Sequence, residues 1–124
     1  MRVKLSFVEV LDFTGVVYGY FGSDMEFATF QEALLANPER GDVMPGCSGL
    51  RKTRWRDMRR GKGTRGGLRI IYLYVPDADR VLLVDVYDKD EADDLTHDEK
   101  RVLASLAQAY RDEVRRNLER KGRG

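Results

Sequence analysis

The chain has 124 residues, with 22 Lys and Arg against 21 Asp and Glu and a formal net charge of +1, a length that holds one domain with a real core and excludes two. Its composition, 42% hydrophobic and 35% charged, excludes wholesale disorder, and the lone Cys47 excludes an intramolecular disulfide and has no neighbour at metal-ligand spacing. No apolar run is long enough to span a membrane, and the opening MRVKLSFVEVLDF lacks the apolar region and cleavage site of a signal peptide. These features predict a cytoplasmic protein, one domain over residues 1–124.

In chain order, Val3 to Leu11 is rich in Val, Leu and Phe with partial alternation, which predicts a strand, and Asp12 to Tyr20 is read as a short helix. Ser23 and Glu26 stand at capping-box spacing, and Phe27, Phe30 and Leu34 then fall on one helical face. Pro38 disfavours helical geometry in the residue before it, so that helix stops near Asn37. Val43 to Gly49 is a turn-rich connector. Leu50 to Arg56, Gly67 to Val75 and Val81 to Tyr87 predict an antiparallel meander, with Pro76 and AspAlaAsp turning between the last two. Thr96 and Glu99 repeat the capping-box spacing before a long final helix with Val102, Leu106 and Tyr110 along one row. Residues 111–124 form a basic helical extension and tail, expected to fray because only Val114 and Leu118 are apolar. The predicted class is α+β, a single antiparallel sheet packed by helices on one face with a basic open face.

The stretch from Gly46 to Tyr72 gathers Arg51, Lys52, Arg54, Arg56, Arg59, Arg60, Lys62, Arg65 and Arg69 against one acid, Asp57. Alternation places Arg51, Thr53 and Trp55 on one side of a strand and Lys52 and Arg54 on the other. A tryptophan is more easily buried than cations, so Trp55 marks the covered face and Lys52 with Arg54 the open one. The glycine-rich GKGTRGG lacks the spacing of a phosphate-binding P-loop and reads as a solvated connection that follows an RNA backbone. A patch of this kind meets an anion, and taken alone it is more often an RNA- or phosphate-binding surface than a nuclease site. The acidic run Asp85, Asp88, Asp90, Glu91, Asp93, Asp94 is expected to be a solvated loop favouring the start of the final helix.

In fixed order, LLANPERGDVMPGCSGLRKTRW, RRGKGTRGGLRIIYLY and LLVDVYDKDEADDLTHDEKRVL resemble HigB-type toxins of the RelE superfamily, the toxic halves of bacterial toxin–antitoxin modules. The likeness runs from about Phe7 to about Tyr110. It implies a RelE-like microbial ribonuclease-type fold and a ribosome-dependent endoribonuclease that cuts mRNA and inhibits translation. It also implies the ribosome, mRNA and a cognate antitoxin with a helix-turn-helix DNA-binding domain as partners, with no membrane. The matching catalytic positions are Lys52, Arg54, Arg69, Tyr87 and Lys89, with Arg51, Arg56, Arg59, Arg60, Lys62 and Arg65 as RNA-binding residues.

Arginine suits neutralisation of charge growing on the phosphate, the role given to Arg54 and Arg69. Lys52 is the candidate base on the ribose 2′-hydroxyl, because neighbouring Arg51 and Arg54 disfavour its charged form. Tyr87 stacks on a base or moves a proton, and Lys89 stabilises the leaving oxygen. No metal and no cofactor are expected. His97, the only histidine, sits at a helix start and reads as structural; Cys47 reads as incidental. The competing reading is a catalytically inactive RNA- or ribosome-binding regulator using the same basic face. A DNA-binding module is the weakest, since no recognition helix is visible.

Overall fold

The computed structural model describes residues 6–9, 19–59, 61, 63, 67–88 and 94–123. The elements are β1 (Ser6–Glu9), α1 (Asp24–Ala36), β2 (Asp42–Val43), β3 (Arg51–Trp55), β4 (Leu68–Val75), β5 (Arg80–Asp88) and α2 (His97–Arg123). They form an α+β fold around one sheet ordered β1-β5-β4-β3-β2. The predicted meander β3-β4-β5 is antiparallel, β2 extends it antiparallel to β3, and β1 joins the opposite edge parallel to β5. Gly19 to Phe21 are helical; the rest of the helix expected over Asp12 to Tyr20 lies outside the described residues.

Both helix starts follow the capping pattern. The Ser23 hydroxyl accepts from the Glu26 N–H at 3.1 Å, while Thr96 and Glu99 exchange both bonds of a full box, at 2.8 and 3.1 Å. Asn37 caps the C-terminus of α1, ahead of Pro38. At Gly41 the chain passes so close to β3 and β4 that a Cβ would lie 2.9 Å from both the Lys52 carbonyl oxygen and the Tyr72 ring, so no side chain fits there.

The core divides between the two faces. On one, Phe27, Phe30 and Leu34 of α1 meet Leu68, Ile70, Tyr72, Val81 and Leu83 of the sheet, with Trp55 packed against them. On the other, Ala107 and Val114 of α2 meet Ile71, Leu73, Val75, Leu82 and Val84. Helices therefore cover both faces rather than the one expected. The reason is visible in β4, whose run LRIIYLYV is apolar at consecutive positions and must be covered on each side. The packed stripe of α2 is also displaced by one position from the expected row. Leu103, Ala107 and Val114 face the sheet, whereas Val102 and Leu106 are exposed. Val114 carries this packing into the C-terminal extension, and α2 runs on to Arg123. The guanidinium of Arg111 ties the helix to the connector before β3, with Nε donating to the Ser48 carbonyl at 2.9 Å.

One irregularity matters for the site. Tyr72 pairs with Leu83 but Ile71 pairs with Asp85, so Val84 is an extra residue in β5, a β-bulge. Odd-numbered Val81 and Leu83 face α1, and beyond the bulge Val86 takes that side while Tyr87 turns to the α2 face.

Candidate functional site

Strand alternation separates β3 as predicted. Thr53 and Trp55 lie on the α1 side, where Trp55 meets Phe30 edge to face at a centroid distance of 5.2 Å, and Lys52 and Arg54 lie on the other side. Register then assembles a row across three strands: Arg54 pairs with Arg69, and Arg69 pairs with Tyr87. Lys52 occupies the adjacent row, opposite Ile71. Lys52, Arg54, Arg69 and Tyr87 thus share one face, on which Tyr87 belongs to the same buried cluster as Ala107 and Val114 of α2.

The electrostatics of this row are unusual. Arg69 is buried, 7% exposed, and lies directly across from exposed Arg54; burial first and the Arg54 charge second push its guanidinium below its ordinary pKa. Like charges placed opposite one another on a sheet repel, which concentrates positive charge at this row. One guanidinium nitrogen, Nη1 of Arg69, donates to the Leu68 carbonyl at 3.3 Å. Beside it, the Tyr87 hydroxyl is buried and makes no hydrogen bond among the described residues. Burial, reinforced by the Asp94 carboxylate and opposed by Arg69, pushes the phenol up to about 12. It is therefore a proton donor at neutral pH, not a base.

Two residues outside the sequence-based site complete it. Asp94, just before α2, places Oδ1 3.2 Å from Lys52 Nζ and Oδ2 2.8 Å from Lys100 Nζ, and accepts from the Leu95 N–H at 2.8 Å. Lys100 foremost, then the Leu95 N–H and Lys52, hold its carboxyl down at about 2 against some desolvation. Two expectations are touched by this contact. Lys52 is the cation of an ion pair, and the Arg51 charge invoked to discharge it lies on the opposite face, donating to the carbonyls of Gly41 at 2.8 Å and Glu39 at 3.3 Å. The acidic run is also no uniform solvated loop, since Asp88 is buried and Asp94 is pinned between two lysines. The one signal for Asp94 and Lys100 was the capping box, which fixes where α2 starts and so what its first turn can reach.

The RNA-binding candidates are scattered. Arg56 pairs with Glu26 at 2.9 Å, and the same carboxylate accepts from Trp55 Nε1 at 3.3 Å. Arg59 pairs with the fully buried Asp57 at 3.0 Å and with Asp88 at 3.5 Å, and it lies over the Tyr20 ring. The Asp57 hydrogen bond raises its pKa despite burial. Lys89, Arg60, Lys62 and Arg65 lie outside the described residues. His97 is exposed and Cys47 is buried. Among the described residues, no three His, Cys, Asp or Glu side chains gather in a way that could hold a metal ion, and no helix is long and apolar enough to cross a membrane.

Against this geometry, known families offer no direct match. No model of a known protein family matches the chain. The site offers two guanidiniums and an ammonium for an anionic oxygen, with the Tyr87 phenol, unpartnered among the described residues, beside them.

Proposed function

We propose that this protein is an endoribonuclease of the RelE–HigB toxin type that cleaves mRNA on the ribosome, inhibits translation and is restrained by a cognate antitoxin. The observation that carries the reading is the row Arg54–Arg69–Tyr87, which sets two adjacent cations beside a neutral phenol with no hydrogen-bond partner among the described residues. The motif resemblance from NPERGDV through YDKDEADDLT supports the same class. The two arginines neutralise the non-bridging oxygens of a phosphate, where negative charge grows in the transition state. The ribose 2′-oxygen attacks phosphorus and its proton passes to water. As the P–O5′ bond breaks, Tyr87 donates its proton to the departing 5′ oxygen and recovers one from solvent. The products are a 2′,3′-cyclic phosphate and a 5′-hydroxyl, and the ribosome supplies the alignment of the message.

The decisive experiment is induced expression of wild type and Arg69→Ala with mapping of mRNA ends. It is paired with a ribosome-bound message carrying one 2′-deoxy nucleotide immediately 5′ of the scissile phosphate. Cutting by wild type alone, abolished by the deoxy substitution, is expected. Cutting of the deoxy substrate with a 5′-phosphate product overturns the mechanism. The alternative, a catalytically inactive RNA- or ribosome-binding regulator, is favoured by the pairing of Lys52 with Asp94, which engages the group expected to act as base. Equal loss of RNA affinity and of biological effect in Arg69→Ala would establish it.

A further inference from the structure

Asp94 is a negative charge where the proposed chemistry calls for positive ones. A carboxylate facing an RNA-binding surface repels phosphate, so a site selected only for affinity would not carry it. Yet Asp94 is held by three bonds. Oδ1 takes the Lys52 ammonium and the Leu95 N–H, and Oδ2 takes Lys100 on the first turn of α2. The capping box of Thr96 and Glu99 fixes that turn, so the carboxylate is delivered by a rigid element. Lys52 is a long side chain with a third of its surface exposed, and without this partner its ammonium would sample many rotamers. The Arg54–Arg69–Tyr87 row lies two register positions away, the next on the same face.

We propose that Asp94, anchored by Lys100, is a positioning residue of the cationic site: it spends RNA affinity to fix Lys52 beside the Arg54–Arg69–Tyr87 row. This rests on the nuclease reading. The field of the same carboxylate also helps keep the Tyr87 phenol protonated, as its donor role requires. Held in this way, the ammonium meets the phosphate from one direction at little cost in side-chain freedom when RNA arrives.

The proposal predicts effects of opposite sign on binding and on chemistry, which damage to the fold would not produce. Affinity is measured by anisotropy with a single-stranded RNA blocked by a 2′-deoxy nucleotide at the scissile position, and cleavage as the single-turnover rate on saturated, programmed ribosomes. Asp94→Asn should bind the RNA about threefold to tenfold tighter, because one repulsive charge is gone, and should cut about tenfold slower. Asp94→Glu should restore the rate to within about twofold. Lys100→Met leaves the carboxylate without its anchor, so it should weaken RNA binding while slowing cleavage, the reverse of Asp94→Asn in the binding arm. Parallel loss of binding and cleavage in Asp94→Asn overturns the proposal, as does a wild-type rate in that variant while Arg69→Ala is inactive. A wild-type protein that cuts nothing overturns the nuclease reading itself, and this role for Asp94 falls with it.

Discussion

Tyr72 and Tyr87 stand on neighbouring strands, both buried, and differ in what their hydroxyls do. Tyr72 faces α1, donates to the Pro38 carbonyl at 2.8 Å and accepts from the Gly41 N–H at 2.9 Å, which stitches the segment after α1 to the sheet. Tyr87 faces α2 and makes no hydrogen bond among the described residues. A buried hydroxyl with its partners made is structural; one without them costs stability and persists where something else uses it. The two faces of the sheet differ in the same way. On the α1 side the polar groups among the aromatics find partners, as with Trp55 and Glu26. On the α2 side, apolar packing gives way to Arg54, Arg69 and an unsatisfied phenol.

The comparison can be broken most directly through activity. Arg69→Ala and Tyr87→Phe should each reduce mRNA cleavage about 100-fold or more, while Tyr72→Phe should leave cleavage per folded molecule unchanged; end mapping on programmed ribosomes decides. Next in size is the aromatic cluster under α1. Phe30→Ala should cost about 3–5 kcal/mol in urea unfolding, because Phe30 is fully buried against Phe21 and Trp55, and a loss below 1 kcal/mol would mean that this face is not the structural one.

Stability sharpens the contrast between the tyrosines. Tyr72→Phe strands a buried N–H and a carbonyl and should cost about 1–3 kcal/mol, whereas Tyr87→Phe removes an unsatisfied hydroxyl and should be neutral or mildly stabilising. The smallest effects are in pH. Asp94 is held down at about 2 from 3.8, so its contribution is complete above the unfolded value and is lost as pH falls through about 2. The stability gap between wild type and Asp94→Asn should therefore close between about pH 4 and pH 2. Tyr87 has the opposite sign. Its folded value of about 12 exceeds the ordinary 10, so its contribution is complete below 10 and lost as pH rises through 12. A wild-type protein should weaken in that alkaline window relative to Tyr87→Phe.

Local pattern carried much of this architecture into view. The alternation of β3 separated Trp55 from Lys52 and Arg54, and spacing alone located both helix starts and the packed face of α1. Three things were not legible. The side taken by α2 depended on tertiary cover for an apolar strand, and the apolar row of Val102 and Leu106 pointed to a face that packing did not choose. The partner of Lys52 is Asp94, so distant in sequence that only the assembled fold brings them together. Arg51 and Arg56 look like members of the patch in a one-dimensional count, yet their guanidiniums are spent on Gly41, Glu39 and Glu26.

The bulge at Val84 bears on the fidelity of folding. If β5 slid by one residue to smooth the ladder from Leu83 onward, Ile70 would face Asp85 in place of Val86, and Leu68 would face Tyr87 in place of Asp88. That competitor would set an aspartate among the phenylalanines under α1, where burying a charge in an apolar cluster is costly. Asp85 instead accepts from the Val86 N–H at 2.9 Å, right at the irregularity. Its carboxylate thus acts as a proofreader of strand pairing, rejecting a register in which the chain would still look well packed but would have hidden its phenol on the wrong side.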